Sequence, residues 1–78
     1  MQEFPQYRKL KNNRSFYRIE DLTHFTEIQI IGIKTFLFKL HATQYPEMIK
    51  IKDMLNGEDP FQMSDKIEFD LYIEKLNP

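Results

Sequence analysis

Hydrophobic and polar residues alternate with a period of two over much of the first half of the chain, most clearly in FTEIQIIGIKTFLFKLH, residues 25–41. Ile28 and Ile30 alternate with Glu27 and Gln29 before Gly32. Phe36, Phe38 and Leu40 alternate with Thr35, Leu37 and Lys39 after it. This alternation predicts two strands joined in a hairpin at Gly32. Opposed residues on antiparallel strands share a face, so loop length decides which side chains stand together. A two-residue loop at Gly32-Ile33 opposes Ile30 with Thr35 and Gln29 with Phe36, which mixes both faces. A three-residue loop, Gly32-Ile33-Lys34, opposes Ile30 with Phe36, Ile28 with Phe38 and Thr26 with Leu40. It gathers Ile28, Ile30, Phe36, Phe38 and Leu40 on one face. The other face then holds Glu27, Gln29, Thr35, Lys39 and His41, with Ile31 and Leu37 as apolar exceptions. One buried face selects the three-residue loop, with Gly32 free to turn left-handed. The five apolar residues are the expected core, each stabilising by about 1.5–3 kcal/mol when buried.

Two shorter strands, 7–10 and 15–19, flank Asn12-Asn13, where a two-residue type I′ turn is expected. That turn opposes Lys9 with Phe16 and Tyr7 with Arg18. One face carries Leu10, Tyr17 and Ile19. The other carries Tyr7, Lys9, Lys11, Arg14, Phe16 and Arg18.

The second half changes period. Pro46 and Glu47 suit a helix entry, Met48, Ile51, Met54 and Leu55 share a helical face, and Asn56-Gly57 is a stop. Ser64 is a candidate cap for a second helix over 65–76, with Phe69, Tyr72, Ile73 and Leu76 on one face. Both segments, 46–56 and 65–76, also alternate, so a strand competes with the helix in each. With the caps favouring helices, the expected fold is α+β. It is an antiparallel four-stranded meander followed by one or two C-terminal helices packed on one face, in a single domain over 1–78.

Composition narrows the class. The 78 residues hold no cysteine and two histidines, which argues against a disulfide framework and a structural metal site. No apolar run approaches the length of a membrane span, and MQEFPQYRKL lacks the apolar segment of a signal peptide. A soluble cytoplasmic protein is expected. The formal net charge of −1 hides an asymmetry. In residues 1–20, Arg8, Lys9, Lys11, Arg14 and Arg18 outweigh Glu3 and Glu20. In residues 57–78, six carboxylates outweigh Lys66 and Lys75.

The run PQYRKLKNNRSFYRI, the strand FTEIQIIG and the segment HATQYPEMIKIKDML resemble a group of small uncharacterised bacterial proteins. The resemblance rests on a Pro-x-Tyr-Arg opening, a Phe-x-Glu-Ile-Gln strand and the lone Gly32. It implies a compact α+β domain and supplies no active site.

Little in the chain points to catalysis. His24 and His41 are the only side chains of a type whose unperturbed pKa lies near neutrality, and neither stands in a nucleophile motif. The acidic residues 58–70 lack calcium-loop spacing, and two glycines cannot form a glycine-rich phosphate loop. A non-enzymatic binding module without cofactor is expected. Its partner is a protein or a second copy of itself, through the surplus apolar residues Ile31, Leu37, Ile67 and Leu71. The alternative is a single-stranded nucleic acid, stacked on Tyr7 and Phe16 and neutralised by Lys9, Lys11, Arg14 and Arg18. An accessory enzyme subunit is a third reading.

Overall fold

The computed structural model describes residues 3–76. The elements are β1 (Gln6–Leu10), β2 (Ser15–Ile19), β3 (His24–Ile31), β4 (Lys34–His41), α1 (Tyr45–Leu55), β5 (Phe61–Met63) and α2 (Lys66–Glu74). The expected α+β meander is present, extended by a fifth strand. The antiparallel sheet has the order β4-β3-β2-β1-β5. The sequence assigns no element to Phe61–Met63, because three residues are too few to show alternation. What makes it a strand is its ladder with β1, where Arg8 opposes Met63 and Leu10 opposes Phe61.

The register of β1 and β2 is as the sequence implies, with Lys9 opposite Phe16 and Tyr7 opposite Arg18. The turn is not type I′, which needs two left-handed residues. Only Asn13 has a positive φ, 58°, and its N–H donates to the Leu10 carbonyl at 2.9 Å.

The central hairpin departs from the expected register. Ile31 opposes Lys34, Ile30 opposes Thr35 and Gln29 opposes Phe36, so the loop is the two-residue Gly32-Ile33. Gly32 has φ 63° while Ile33 stays in the ordinary region, which fits a type II′ turn with glycine first. The reason lies in the layers above and below. Phe25, Ile19, Tyr17 and Ala42 pack against Ile51 and Met54 of α1. Phe16 and Ile28 pack against Phe69 of α2, with Tyr72 and Ile73 beside it. Phe25 opposes Ile19, and Ile28 opposes Phe16, three positions away on the same strands and so on the other face. The helices therefore cover opposite faces of the sheet rather than one. β3 is buried at consecutive positions, 25 through 28, and no single apolar face selects its register. Ile28 and Ile30 go to the α2 face, while Phe36, Phe38 and Leu40 go to the α1 face.

Local signals explain both helices. α1 starts with Pro46 and Glu47 in its first turn and stops at Asn56, followed by Gly57 at φ 68°. The N-cap of α2 is Asp65, one residue after the expected Ser64, and its carboxylate accepts from the Glu68 N–H at 2.8 Å. Arg8 adds a long-range cap. It is 5% exposed, and its Nε donates to the Met54 carbonyl at 2.8 Å, at the open C-terminal end of α1.

Candidate interaction surface at the sheet edge

The basic and aromatic side chains of the first hairpin do share a face, but α2 lies on it. The Phe16 ring is 1% exposed and stacks on Tyr72 with centroids 4.2 Å apart. The Tyr7 ring meets Phe69 at 5.6 Å, and the Arg18 guanidinium lies 5.2 Å from the centre of the same ring. Lys9 pairs with Glu68 at 3.1 Å, Arg18 with Glu20 at 2.8 Å, and Lys11 with Asp59. Arg14 stands exposed at the hairpin tip. The rings that would stack on bases are thus held by rings of α2. Three of the four cations face carboxylates, two of them from the acidic C-terminal third.

The other expected set is exposed but divided. Ile67 and Leu71 lie on the outer side of α2, because Phe69, Tyr72 and Ile73 take the sheet side. Ile31 ends β3, and Leu37 lies on β4.

β4 carries three of the sheet's exposed large apolar side chains, with Ile31 of β3 and Met63 of β5 the other two. As the strand that ends the order, it has β3 on one side only. Phe36, Phe38 and Leu37 are 39, 43 and 40% exposed, the two rings on the α1 face and the leucine on the α2 face. At the adjoining turn, Ile31 is 59% exposed and Ile33 fully so. Phe36 and Phe38 are the residues that sequence reasoning missed as surface, since one buried face placed them in the core. The Gly-first turn after Ile31 is the signal that would have found them.

The backbone of β4 completes the surface. Bonded and non-bonded pairs alternate along an antiparallel ladder. The Ile30 N–H donates to the Arg14 carbonyl of the β2 side at 2.8 Å, so the pair Ile30 and Thr35 is non-bonded. Thr35, Leu37, Lys39 and His41 therefore aim their N–H and C=O groups away from β3. The His41 carbonyl is taken locally by the Thr43 N–H at 2.9 Å.

At the far end of β4, the His24 and His41 rings stack with centroids 4.2 Å apart and an angle of 8°. They border an open cavity of about 270 Å³ together with Arg18, Glu20 and Lys39. Asp21 Oδ1 and Thr23 Oγ1 both lie 2.9 Å from Nδ1 of His24. The His24 ring and the Thr23 N–H hold the Asp21 carboxyl down at about 2. Carboxylate and hydroxyl crowd the same ring nitrogen. A relay needs them on opposite nitrogens, so this trio does not activate the hydroxyl. Among the described residues, no group of three or more His, Asp or Glu is placed to hold a metal ion, and no helix is long and apolar enough to cross a membrane.

No family model, curated protein or solved structure matches the chain.

Proposed function

We propose that this protein is a non-enzymatic binding module that associates with a second copy of itself through β4. The observation that carries this reading is the open edge of β4, eight residues long with exposed Phe36, Leu37 and Phe38. A long, apolar, unpaired edge is an adhesive surface that monomeric sheets guard against with short strands, bulges or proline. β4 has no proline, and its pairing with β3 runs without a bulge from residue 34 to 41. Lys34 and Lys39 are its only charged guards, and each projects to a face rather than along the edge.

Sedimentation of the free protein over a range of concentrations, at low and high salt, tests the reading. A dimer held by apolar surface and backbone pairing persists at high salt. A mixed-sequence single-stranded oligonucleotide, titrated in parallel, should not bind. A protein that stays monomeric at every concentration overturns the proposal. If that monomer binds the oligonucleotide and releases it as salt rises, the basic hairpin is the functional surface instead.

A further inference from the structure

Resting on that reading of β4, we infer that two copies pair antiparallel along β4 with Leu37 on the two-fold axis, joining two sheets into one. The free backbone groups fix this register. Thr35, Leu37 and Lys39 point both N–H and C=O outward, whereas the His41 carbonyl is already bonded to Thr43. The open ladder is thus three alternate residues centred on Leu37. A two-fold axis through Leu37 sets Leu37 against its own copy and Thr35 against Lys39. Each outward donor of the three then meets an outward acceptor. Sliding the copy by two residues, to place Phe38 on the axis, sets Thr35 against His41 and spends a pairing position on an occupied carbonyl.

The side chains agree with the Leu37 register. Opposed residues share a face, so Phe36 stands against Phe38 of the second copy, and four exposed rings close into one patch on the α1 face. Lys39 opposes Thr35 and Lys34 opposes Leu40, so no lysine faces a lysine. The pairing is antiparallel because a two-fold axis perpendicular to the sheet leaves the α1 faces of both copies on the same side, as a continuous sheet requires.

The absence of cysteine from the chain makes the test clean. Phe36→Cys, Leu37→Cys and Phe38→Cys are prepared singly and oxidised under native conditions. The axial position brings equivalent Cα atoms within disulfide reach, about 5.5 Å, whereas positions 36 and 38 oppose each other and not their own copies. Leu37→Cys should therefore give the covalent dimer fastest. A maximum at 36 or 38, or no dimer from any of the three, overturns the register. Leu37→Pro removes an outward N–H and leaves the bonds to β3 in place, so the fold tolerates it while the dimer weakens by roughly tenfold or more. Lys39→Pro, also outward, gives the same result should Leu37→Pro fail to fold. A folded proline variant that dimerises as the wild type does overturns edge pairing. Self-association itself is read from the wild type by sedimentation, so it stands or falls separately.

Discussion

The two edges of the sheet are built differently. β5 is three residues long, and at both of its ends the backbone turns back on the protein. Lys11 N–H reaches the Pro60 carbonyl at 3.1 Å, and Ser64 N–H reaches the Tyr7 carbonyl at 3.2 Å. Those bonds place Gln62 toward β1 and turn Phe61 and Met63 outward. The Phe61 N–H is then consumed by the Glu58 carbonyl at 2.8 Å. One residue of β5, Met63, is left with an outward N–H, too little for a second strand to grip. β4 is eight residues long, carries three alternate free positions and exposes apolar side chains on both faces. Edge protection at one side and its omission at the other, in the same small sheet, are what the proposed pairing through β4 rests on.

The largest expected effect sharpens the contrast between the buried strand and the edge. Ile28 of β3 is fully buried between Phe16 and Phe69, so Ile28→Ala should destabilise the fold by about 2–5 kcal/mol. Phe38→Ala, at an exposed position of β4, should cost below about 1 kcal/mol in the monomer. Denaturant unfolding at concentrations low enough to exclude dimer compares the two. Equal losses would mean that Phe38 is a core residue after all.

Amide exchange compares the edges directly. At high protein concentration Thr35, Leu37 and Lys39 of β4 should become protected, and on dilution they should exchange freely. Phe36 and Phe38, bonded inward to β3, should stay protected at both concentrations. Met63 of β5 should exchange freely throughout. Protection of Met63 that grows with concentration would mean that β5, not β4, is the sticky edge.

The smallest effect concerns the end of β4, where His41 stacks on His24 and His24 is held by Asp21. The Asp21 carboxyl lies at about 2, below its ordinary value of 3.8. Its stabilising contribution is therefore present above about pH 4 and is lost as pH falls through 2. His24→Ala should raise the Asp21 midpoint, read from its carboxyl carbon by NMR. A wild-type midpoint near 4 would remove this anchor from the account.

Much of this architecture was legible in the chain, for reasons that also mark where reading stops. The four meander strands show their own alternation. Pro46, Gly57 and the capping Asp65 punctuate the helices locally. The pairing of Tyr7 with Arg18 follows from the nearby Asn12-Asn13. What was lost depended on distant layers. A strand with one wet face advertises its register, but Phe25 and Ile28 answer to different helices, so β3 carries two interleaved patterns. The assumption of one buried face sent Phe36 and Phe38 inward and hid the surface proposed here for binding. In the sequence Arg8 counts only toward the positive balance of residues 1–20. Its role at the end of α1 depends on a carbonyl 46 residues away.

The place of β1 in the sheet bears on how the chain is made. β1 is synthesised first and lies between β2 and β5, and β5 is the last strand to appear. At ordinary elongation rates, on the order of seconds separate the emergence of β2 from that of β5. Throughout that interval the outer backbone of β1 is bare, and for most of it the Arg8 guanidinium waits for the end of α1, which is made shortly before β5. A nascent chain of this protein therefore carries two open edges, of which the finished molecule closes only one.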